Sequence, residues 1–279
     1  MKHPGIYIHI PFCFKKCPYC DFFSVAGNEI FHNAFVEALL QEIKDKASYF
    51  SGKVFDTVYI GGGTPNAMSH VYLSKIISQI RHSFVLHNNS EITLEINPEF
   101  VTDETLKHYK SLGINRLSLG CQSFIDSELQ FLGRIHNSLR NYEAIDLIRS
   151  HDFKKLSCDL IVGLPIQPIE NVEYNLEKLL AVRPEHISVY TLSIEENTPM
   201  YHDAESGCVP YPDPDVVRDI YLAVHKRLTI AGYYHYEVSN FCLPGFESRH
   251  NTKYWNECDY LGLGPSAHSK SGRIRSWNS

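Results

Sequence analysis

Three cysteines lie within eight residues near the start of the chain, in the segment IPFCFKKCPYCDFF. Cys13, Cys17 and Cys20 follow the spacing C-x-x-x-C-x-x-C. Structural zinc and iron–sulfur sites are usually closed by four protein ligands, so three clustered thiolates suggest a metal with an open coordination position. Sulfur ligands suit iron, and a cubane of four irons and four sulfides held by three cysteines leaves one iron free for another ligand. We therefore interpret the motif as a [4Fe-4S] site.

Two other interpretations of the three thiols stay open at this point. One is a disulfide with a spare thiol, although disulfide frameworks are typical of short secreted chains and this chain has 279 residues, 8 Cys and no signal peptide. The other is a zinc site completed by a distant Cys or His. A second C-x-x-C pair is missing, and a lone Cys is most often a small buried hydrophobe. The remaining cysteines are isolated in the sequence: Cys121, Cys158, Cys208, Cys242 and Cys258.

The composition limits the partners and the location. The formal net charge is −6 and no Lys/Arg run is longer than Lys15-Lys16 or Lys154-Lys155, so a nucleic-acid partner is not expected. No apolar stretch has the length of a signal-peptide core or of a membrane span, which indicates a cytoplasmic protein. Thiols stay reduced in that compartment and remain available for a cluster.

Short runs rich in Ile, Val, Tyr and Leu alternate with longer amphipathic stretches, as expected of βα units with parallel strands. The runs predict strands at 5–10, 57–61, 91–96, 116–120, 155–162 and 186–192. Apolar residues three and four positions apart predict five joining helices, among them 30–46 and 71–82. Thr102, followed by two acidic residues, predicts the start of a helix that Gly113 ends.

Six sequential βα units predict an α/β fold in which residues 1–195 form a partial (β/α)6 TIM-like barrel. Residues 196–279 have a different sequence pattern, because a proline-rich loop precedes a helix predicted at 215–231. This segment is predicted to be a small C-terminal α+β extension. No helix follows its last strand-like run, so we expect a further C-terminal part.

Polar residues stand at the ends of the predicted strands. The segment Gly61-Gly62-Gly63-Thr64-Pro65 follows one strand, and successive glycines allow the backbone to approach a small ligand. A tight βα turn explains the same residues equally well. Glu95 would end a buried strand with a carboxylate, which is costly unless it binds ribose hydroxyls or an ammonium, or forms a structural ion pair.

Gln122, Arg134 and Asp159 are expected at the same rim, because the C-terminal ends of parallel strands meet there. Individually they also fit a helix cap, an exposed side chain and a backbone contact. Together they could supply a guanidinium for a carboxylate and acceptors for hydroxyls or an amine. Such a set fits a nucleoside that bears an amino acid.

These motifs together resemble the radical S-adenosylmethionine superfamily. The resemblance is carried by the cysteine motif, GGGTP, the strand-ending glutamate, GCQSF, GRIH and DLIVGLP, and it spans nearly the whole chain. More narrowly, YIHIPFC and the later blocks are similar to the branch that contains oxygen-independent coproporphyrinogen III dehydrogenases and the related heme chaperones. The resemblance implies a partial barrel of radical SAM type and a cluster bound by Cys13, Cys17 and Cys20. It also implies that S-adenosylmethionine chelates the fourth iron.

The resemblance further implies a set of S-adenosylmethionine contacts, of which Ser193 matches least closely: Tyr7, Tyr19, Gly62, Gly63, Thr64, Glu95, Gln122, Arg134, Asp159 and Ser193.

Two departures separate this chain from the dehydrogenases of that branch. Their pattern has a further cysteine where this chain has Phe22, and a longer segment ahead of the first cysteine, whereas twelve residues precede Cys13 here. The chaperones carry H-N-x-x-Y-W, which stands here as HNTKYW from His250. A neutral imidazole can ligate heme iron beside flat aromatic rings, but a His before an aromatic pair is more often a packed residue. The resemblance implies that His250 binds heme, with His268 a second candidate.

The leading hypothesis is therefore a heme chaperone that passes heme to an acceptor protein, with a flavodoxin or ferredoxin as reductant. Such a protein could touch membranes transiently without an amphipathic anchor. The alternative is an oxygen-independent coproporphyrinogen III oxidase, in which the cofactor supplies the radical chemistry and the protein supplies positioning. A third hypothesis is radical modification of another substrate.

Overall fold

The computed structural model describes residues 3–27 and 29–279. Met1 and Lys2, with which the predicted barrel segment begins, and Asn28 lie outside the described residues. The strands are β1 Gly5–Ile10, β2 Phe12–Cys13, β3 Val25–Ala26, β4 Val54–Gly62, β5 Val85–Ile96, β6 Arg116–Gln122, β7 Leu156–Val162, β8 His186–Thr191, β9 Tyr234–His235, β10 Asn240–Cys242, β11 Tyr260–Leu263, β12 His268–Ser271 and β13 Ile274–Trp277. The helices are α1 His32–Ala47, α2 His70–Ser83, α3 Asp103–Ser111, α4 Asp126–Phe131, α5 Ser138–Ser150, α6 Ile169–Val182, α7 Pro199–Glu205, α8 Pro214–Ile230 and α9 Arg249–Trp255.

A single large sheet forms the centre of the fold. Its strand order is β13-β12-β11-β1-β4-β5-β6-β7-β8-β10-β9. The run from β1 through β4, β5, β6 and β7 to β8 is parallel throughout, and each of these strands follows the previous one across a helical connection. The predicted partial (β/α)6 barrel is therefore confirmed.

The predicted strands are present, with bounds that differ mainly at their starts. β4 begins at Val54 and β5 at Val85, several residues before the predicted starts. Four polar residues at 87–90 interrupt the apolar pattern of β5, but the start of the strand pairs with β4 through Phe55 and Leu86. Between β6 and β7 the chain forms two helices, although one was expected, because Gly133 with a φ of +69° follows the short α4.

Side chains alternate between the two faces of the parallel strands. Ile60 of β4 and Leu94 of β5 are fully buried on one face, in the same core as Ile76 of α2. The neighbouring positions Tyr59 and Glu95 lie on the other face, where they are joined by a hydrogen bond. The apolar face thus holds the helices on the sheet, and the opposite face is free to carry polar groups.

Residues after 195 extend this sheet at both edges. β10 pairs antiparallel with β8, and β11 pairs parallel with β1. α9 precedes β11 and lies beside β4. The boundary between 195 and 196 stays a prediction, since both segments contribute strands to one sheet. Within the described ranges, no helix is long and apolar enough to cross a membrane.

Candidate functional site

The cysteine loop follows β1 and carries the three predicted ligands. The thiols of Cys13, Cys17 and Cys20 are half-buried, and all eight cysteines, each within the described ranges, are free. Gly133 lies against this loop, where a Cβ would come within 2.6 Å of Pro18 Cδ. Glycine therefore lets the end of α4 approach the thiols closely.

The three thiols are not arranged around a single ion. Among the residues that the structure describes, no three His, Cys, Asp or Glu side chains lie close enough together to hold one metal ion. In a cubane cluster each thiolate binds a different iron, so its sulfurs stand apart.

A cavity at the C-terminal ends of the strands joins the cysteine loop to the predicted polar residues. Its volume is about 360 Å³, within the range of ~300–1,000 Å³ typical of small-molecule sites. The predicted residues that line it are Cys13, Cys17, Tyr19, Cys20, Gly62, Gly63, Thr64, Glu95, Gln122, Arg134, Asp159 and Ser193. Tyr7 and His250 lie elsewhere. The strand ends thus bring the predicted residues that line the cavity to one rim. Their roles as ligands stay predictions.

The glycine loop is fixed to the cysteine loop by its own amides. Gly63 N donates to Ile10 O at 2.8 Å, and Thr64 N donates to Phe12 O at 2.7 Å. A Cβ on Gly63 would come within 2.6 Å of Phe12 O, so the close approach needs glycine. Gly62 N is also occupied, by a side-chain acceptor. The loop therefore positions the cysteines, and its amides are not available as donors to a ligand.

Glu95 presents a carboxyl group to the cavity from the end of β5. Its Oε1 accepts a 2.7 Å hydrogen bond from Tyr59 Oη, and its Oε2 accepts a 3.0 Å bond from Gly62 N. Burial raises the pKa of Glu95 to about 7 against the effect of these bonds, and Asp159 adds to the rise. Burial also holds the pKa of Tyr59 well above its usual range, so Tyr59 remains a donor. Glu95 therefore changes protonation near neutral pH.

Asp159 is a second buried carboxyl group in the cavity. Ser118 Oγ lies 3.2 Å from both of its oxygens, and Ser157 Oγ lies 3.2 Å from Oδ1. Burial raises the pKa of Asp159 to about 6, and hydrogen bonds from Ser188, Ser118 and Ser157 oppose the rise. Both carboxyl groups are thus held by neutral donors and can accept further bonds from an ammonium or from hydroxyls.

Arg134 connects the cavity wall to the cysteine loop. Its Nη2 donates to Asn97 Oδ1 at 2.8 Å and to Gly120 O at 3.4 Å, while its Nη1 donates to Cys17 Sγ at 3.6 Å. The guanidinium therefore lies where a carboxylate ligand of the cavity could reach it, and it already contacts a predicted cluster ligand.

The cavity also contains residues that the sequence did not single out: Asn97, Ser118, Tyr190 and Glu195. Asn97 directly follows a predicted strand, which is a usable signal for the rim. The two-residue period of β8 places Tyr190 on the same face as Ser188, which contacts Asp159. Glu195 follows β8 in a loop, where no periodic pattern exists to identify it.

His250 lies in α9, near the start of β1, and away from the cavity. Its ring is 1% exposed, with Nδ1 2.9 Å from Thr57 Oγ1 and Nε2 2.9 Å from Tyr254 Oη. Burial, together with the charge of Lys253, lowers the pKa of His250 to about 3, so the ring is neutral. Because both nitrogens have partners and the side chain is buried, ligation of iron by His250 would require at least one of these hydrogen bonds to break.

Tyr7 contacts the cavity only through its neighbours. Its ring lies 6.1 Å from that of Tyr59 and 6.4 Å from that of His250, and its hydroxyl is 3.0 Å from His9 Nδ1. His268, the second heme candidate, is exposed at the start of β12, with its ring 6.3 Å from that of Trp277.

Comparison with known proteins identifies the class first. A sequence profile of the Radical SAM superfamily matches residues 7–179, which include the cysteine loop and most of the cavity. Among solved structures, coproporphyrinogen III oxidase (HemN) from Escherichia coli, described as a radical SAM enzyme, superposes with a TM-score of 0.85 at 26% identity, covering 100% of this chain and 67% of that one. The chain belongs to the Radical SAM superfamily, and its fold is that of a radical SAM protein.

Sequence relatives then narrow the assignment. The chain is 38% identical over 277 residues to the heme chaperone HemW of Escherichia coli, covering 97% of this chain and 72% of that protein. It is 39% identical over 271 residues to the heme chaperone HemW of Haemophilus influenzae, covering 95% and 70%. The chain belongs to the HemW family within the radical SAM superfamily, as the motifs predicted.

Proposed function

We propose that this protein is a heme chaperone, which binds heme and passes it to an acceptor protein. The observation that carries the proposal is the 38% identity to the E. coli heme chaperone HemW over 97% of this chain. The HNTKYW segment from His250 supports it, since this is the motif expected of chaperones. Phe22, in the place of a further cysteine, supports a chaperone over a porphyrinogen enzyme.

The proposal includes a [4Fe-4S] cluster held by Cys13, Cys17 and Cys20. The three thiols fit this group, because they are free and line one cavity. Burial raises the pKa of the Cys20 thiol, and Cys13 and Cys17 add to the rise, so cluster binding would release protons. With S-adenosylmethionine, such a cluster supplies one-electron chemistry.

We assign the cavity to S-adenosylmethionine. Glu95 and Asp159 would accept hydrogen bonds from its amino group and hydroxyls, since their present partners are neutral donors. Arg134 would bind its carboxylate, a pairing that guanidinium groups favour. Ile161 and Leu192 line the same cavity and would exclude water from the bound cofactor.

Heme would be ligated by His250 after movement of α9. The neutral imidazole is the ligating form, and burial keeps His250 neutral. Trp255, which is 58% exposed, and Tyr254 offer aromatic surface on the outside of the same helix. His268 is the second candidate, because it is exposed beside Trp277 and needs no rearrangement.

The proposed partners are the heme acceptor and a reductant such as a flavodoxin or ferredoxin. Lys15 and Lys16 are exposed at the cavity edge, where they favour the approach of an acidic protein to the cluster. The free thiols fit a reducing compartment, and we propose the cytoplasm. Residues 1–195 would carry the cluster and S-adenosylmethionine, and residues 196–279 the heme.

An oxygen-independent coproporphyrinogen III oxidase is the second candidate function. The observation that favours it is the TM-score of 0.85 with the E. coli enzyme over 100% of this chain. In that case the cavity residues would orient the cofactor against a porphyrinogen. The lower identity to that enzyme, 26%, ranks this candidate below the chaperone.

Heme titration tests the proposal. The full chain is reconstituted anaerobically with iron and sulfide and titrated with heme, with absorbance as the readout. We expect saturable binding that His250→Ala weakens and that His82→Ala, at an exposed position at the end of α2, leaves unchanged. Normal binding by His250→Ala would transfer the ligand role to His268, and absence of binding by the unsubstituted chain would contradict the proposed function.

A further inference from the structure

A continuous set of side-chain contacts leads from α9 to the cavity. The ring of His250 lies 5.2 Å from that of Tyr59, at an interplanar angle of 33°. The hydroxyl of Tyr59 donates to Glu95 Oε1 at 2.7 Å, and Glu95 lines the cavity. Tyr7 packs against both rings from β1. The cavity carboxyl group therefore depends on a tyrosine whose ring rests on His250.

His250 is held in this position from both sides. Its nitrogens lie 2.9 Å from Thr57 Oγ1 and 2.9 Å from Tyr254 Oη. On the third side the chain is crowded, because a Cβ on Gly5 would come within 3.0 Å of His250 Nδ1 and within 2.6 Å of Thr57 Oγ1. A side chain enclosed in this way can transmit a displacement to its neighbours, since packed interiors deform little.

Two ion pairs hold α9 against β4. Asp56 receives Lys253 Nζ at 2.5 Å on Oδ1 and Arg249 Nη2 at 2.9 Å on Oδ2. Arg249 N also donates to Glu91 Oε1 at 2.9 Å. Withdrawal of His250 from the barrel by a movement of α9 would therefore break these contacts together.

We propose that His250 is a positioning residue for the cavity, acting on Glu95 through Tyr59, and that heme ligation by His250 and S-adenosylmethionine binding at Glu95 oppose each other. The inference rests on the proposed function, because it takes S-adenosylmethionine as the cavity ligand and heme as the ligand of His250. When His250 leaves the barrel, Tyr59 loses its ring neighbour and Glu95 loses a fixed donor. Coupling of this kind is reciprocal, and typical cases change affinity about 5- to 150-fold.

Direct binding of S-adenosylmethionine tests the positioning role without heme. Equilibrium dialysis with the reconstituted full chain compares His250→Ala, Tyr59→Phe, the double substitution and the control His82→Ala. We expect each single substitution to weaken binding about fivefold or more, and the double to weaken it by less than the product of the two, because both act on Glu95. Unchanged affinity in His250→Ala, or full additivity, would overturn the positioning role.

His250→Phe separates positioning from ligation. It keeps an aromatic ring against Tyr59 but offers no nitrogen to iron. We expect it to bind S-adenosylmethionine within about twofold of the unsubstituted chain, a rescue that a general loss of stability could not produce. Affinity as weak as that of His250→Ala would contradict the role of the ring contact.

Heme addition tests the opposition between the ligands. Saturating heme should weaken S-adenosylmethionine binding to the unsubstituted chain by the same factor by which S-adenosylmethionine weakens heme binding. It should leave the His250→Phe affinity unchanged. Heme binding without any effect on the cavity would overturn the opposition. If the unsubstituted chain binds no heme, the proposed function and the opposition fail together, whereas the dialysis series still decides the positioning role.

Discussion

Arg134 donates a hydrogen bond from Nη1 to Cys17 Sγ at 3.6 Å, so a fixed positive charge contacts one of the three proposed cluster ligands. The same guanidinium is held in place by Asn97 Oδ1, 2.8 Å from Nη2. Donors and positive charge next to a cluster sulfur stabilise the reduced, more negative state of the cluster. The contact thus links the cavity wall to the electronic properties of the metal group.

Replacement of Arg134 by Gln should lower the reduction potential of the reconstituted cluster. The expected shift is roughly 50 mV, which is about one factor of ten in the equilibrium constant for one electron. A redox titration monitored by electron paramagnetic resonance measures it. Arg218→Gln, on the exposed surface of α8, is the control and should leave the potential unchanged. A potential in Arg134→Gln equal to that of the unsubstituted chain would contradict this role.

Cys17→Ala should prevent assembly of the cluster. The remaining thiols would supply two ligands, too few to hold a cubane of this kind stably. The iron content and the visible absorbance after reconstitution should fall to background, while Cys208→Ala, which removes an exposed thiol outside the cavity, should reconstitute normally. A full cluster in Cys17→Ala would show that the ligand set is assigned wrongly.

The affinity for S-adenosylmethionine should rise as the pH increases from 6 to 8. The pKa of Glu95 is about 7, and its ionised form is the better acceptor for an ammonium or for hydroxyls. Below the pKa the ionised fraction falls about tenfold per pH unit. Equilibrium dialysis across this range measures the effect, and Glu95→Gln should flatten the profile. A pH-independent affinity in the unsubstituted chain would exclude Glu95 as the titrating group.

The same carboxyl group should make the ligand-free fold less stable as the pH rises. The folded-state pKa of about 7 exceeds the ordinary value of 4.5, so the folded state binds the proton more tightly than the unfolded chain. Burial penalises only the ionised carboxylate. The free energy of unfolding is therefore not reduced by this group below pH 4.5, and it falls as the pH rises from 4.5 towards 7. Denaturant unfolding at several pH values measures the free energy of unfolding, which should change less with pH in Glu95→Gln than in the unsubstituted chain. The same pH dependence in both chains would contradict the raised pKa of Glu95.

Asp56→Asn should loosen α9 and speed the association of heme. The substitution weakens both ion pairs that hold the helix, and loss of the largely buried pair with Lys253 should cost about 3 kcal/mol of stability. Stopped-flow absorbance measures the association rate. Glu37→Gln, which breaks an exposed pair with Lys75, is the matched control and should change stability by less than about 1 kcal/mol. An unchanged association rate in Asp56→Asn would mean that α9 does not limit the access of heme to His250.

The elements that position the cavity were predictable because their signals are local. The apolar runs identify the parallel strands, and the cysteine motif, Glu95 and Asp159 lie within or directly after them. Their meeting at one rim follows from the rule that functional groups lie at the C-terminal ends of the strands of such a barrel. Arg134 and Gln122 reached the same rim only through the resemblance and the expected barrel, because neither has a distinctive local pattern.

The surroundings of His250 were not predictable in this way. The partners of its ring come from β1, β4 and α9 itself, and α9 is held by Asp56, far away in the sequence. The pairing of β11 with β1 is equally nonlocal. A helical period identifies which residues share a face, but the position of that face in the barrel depends on contacts that no window of sequence contains.

The two candidate functions can be compared directly in one anaerobic sample of the reconstituted full chain. Heme titration is measured alongside incubation with coproporphyrinogen III, S-adenosylmethionine and a reductant. A heme chaperone should show saturable heme binding and form no protoporphyrinogen. Formation of protoporphyrinogen by a chain that does not bind heme would contradict the proposed function and would favour the porphyrinogen oxidase.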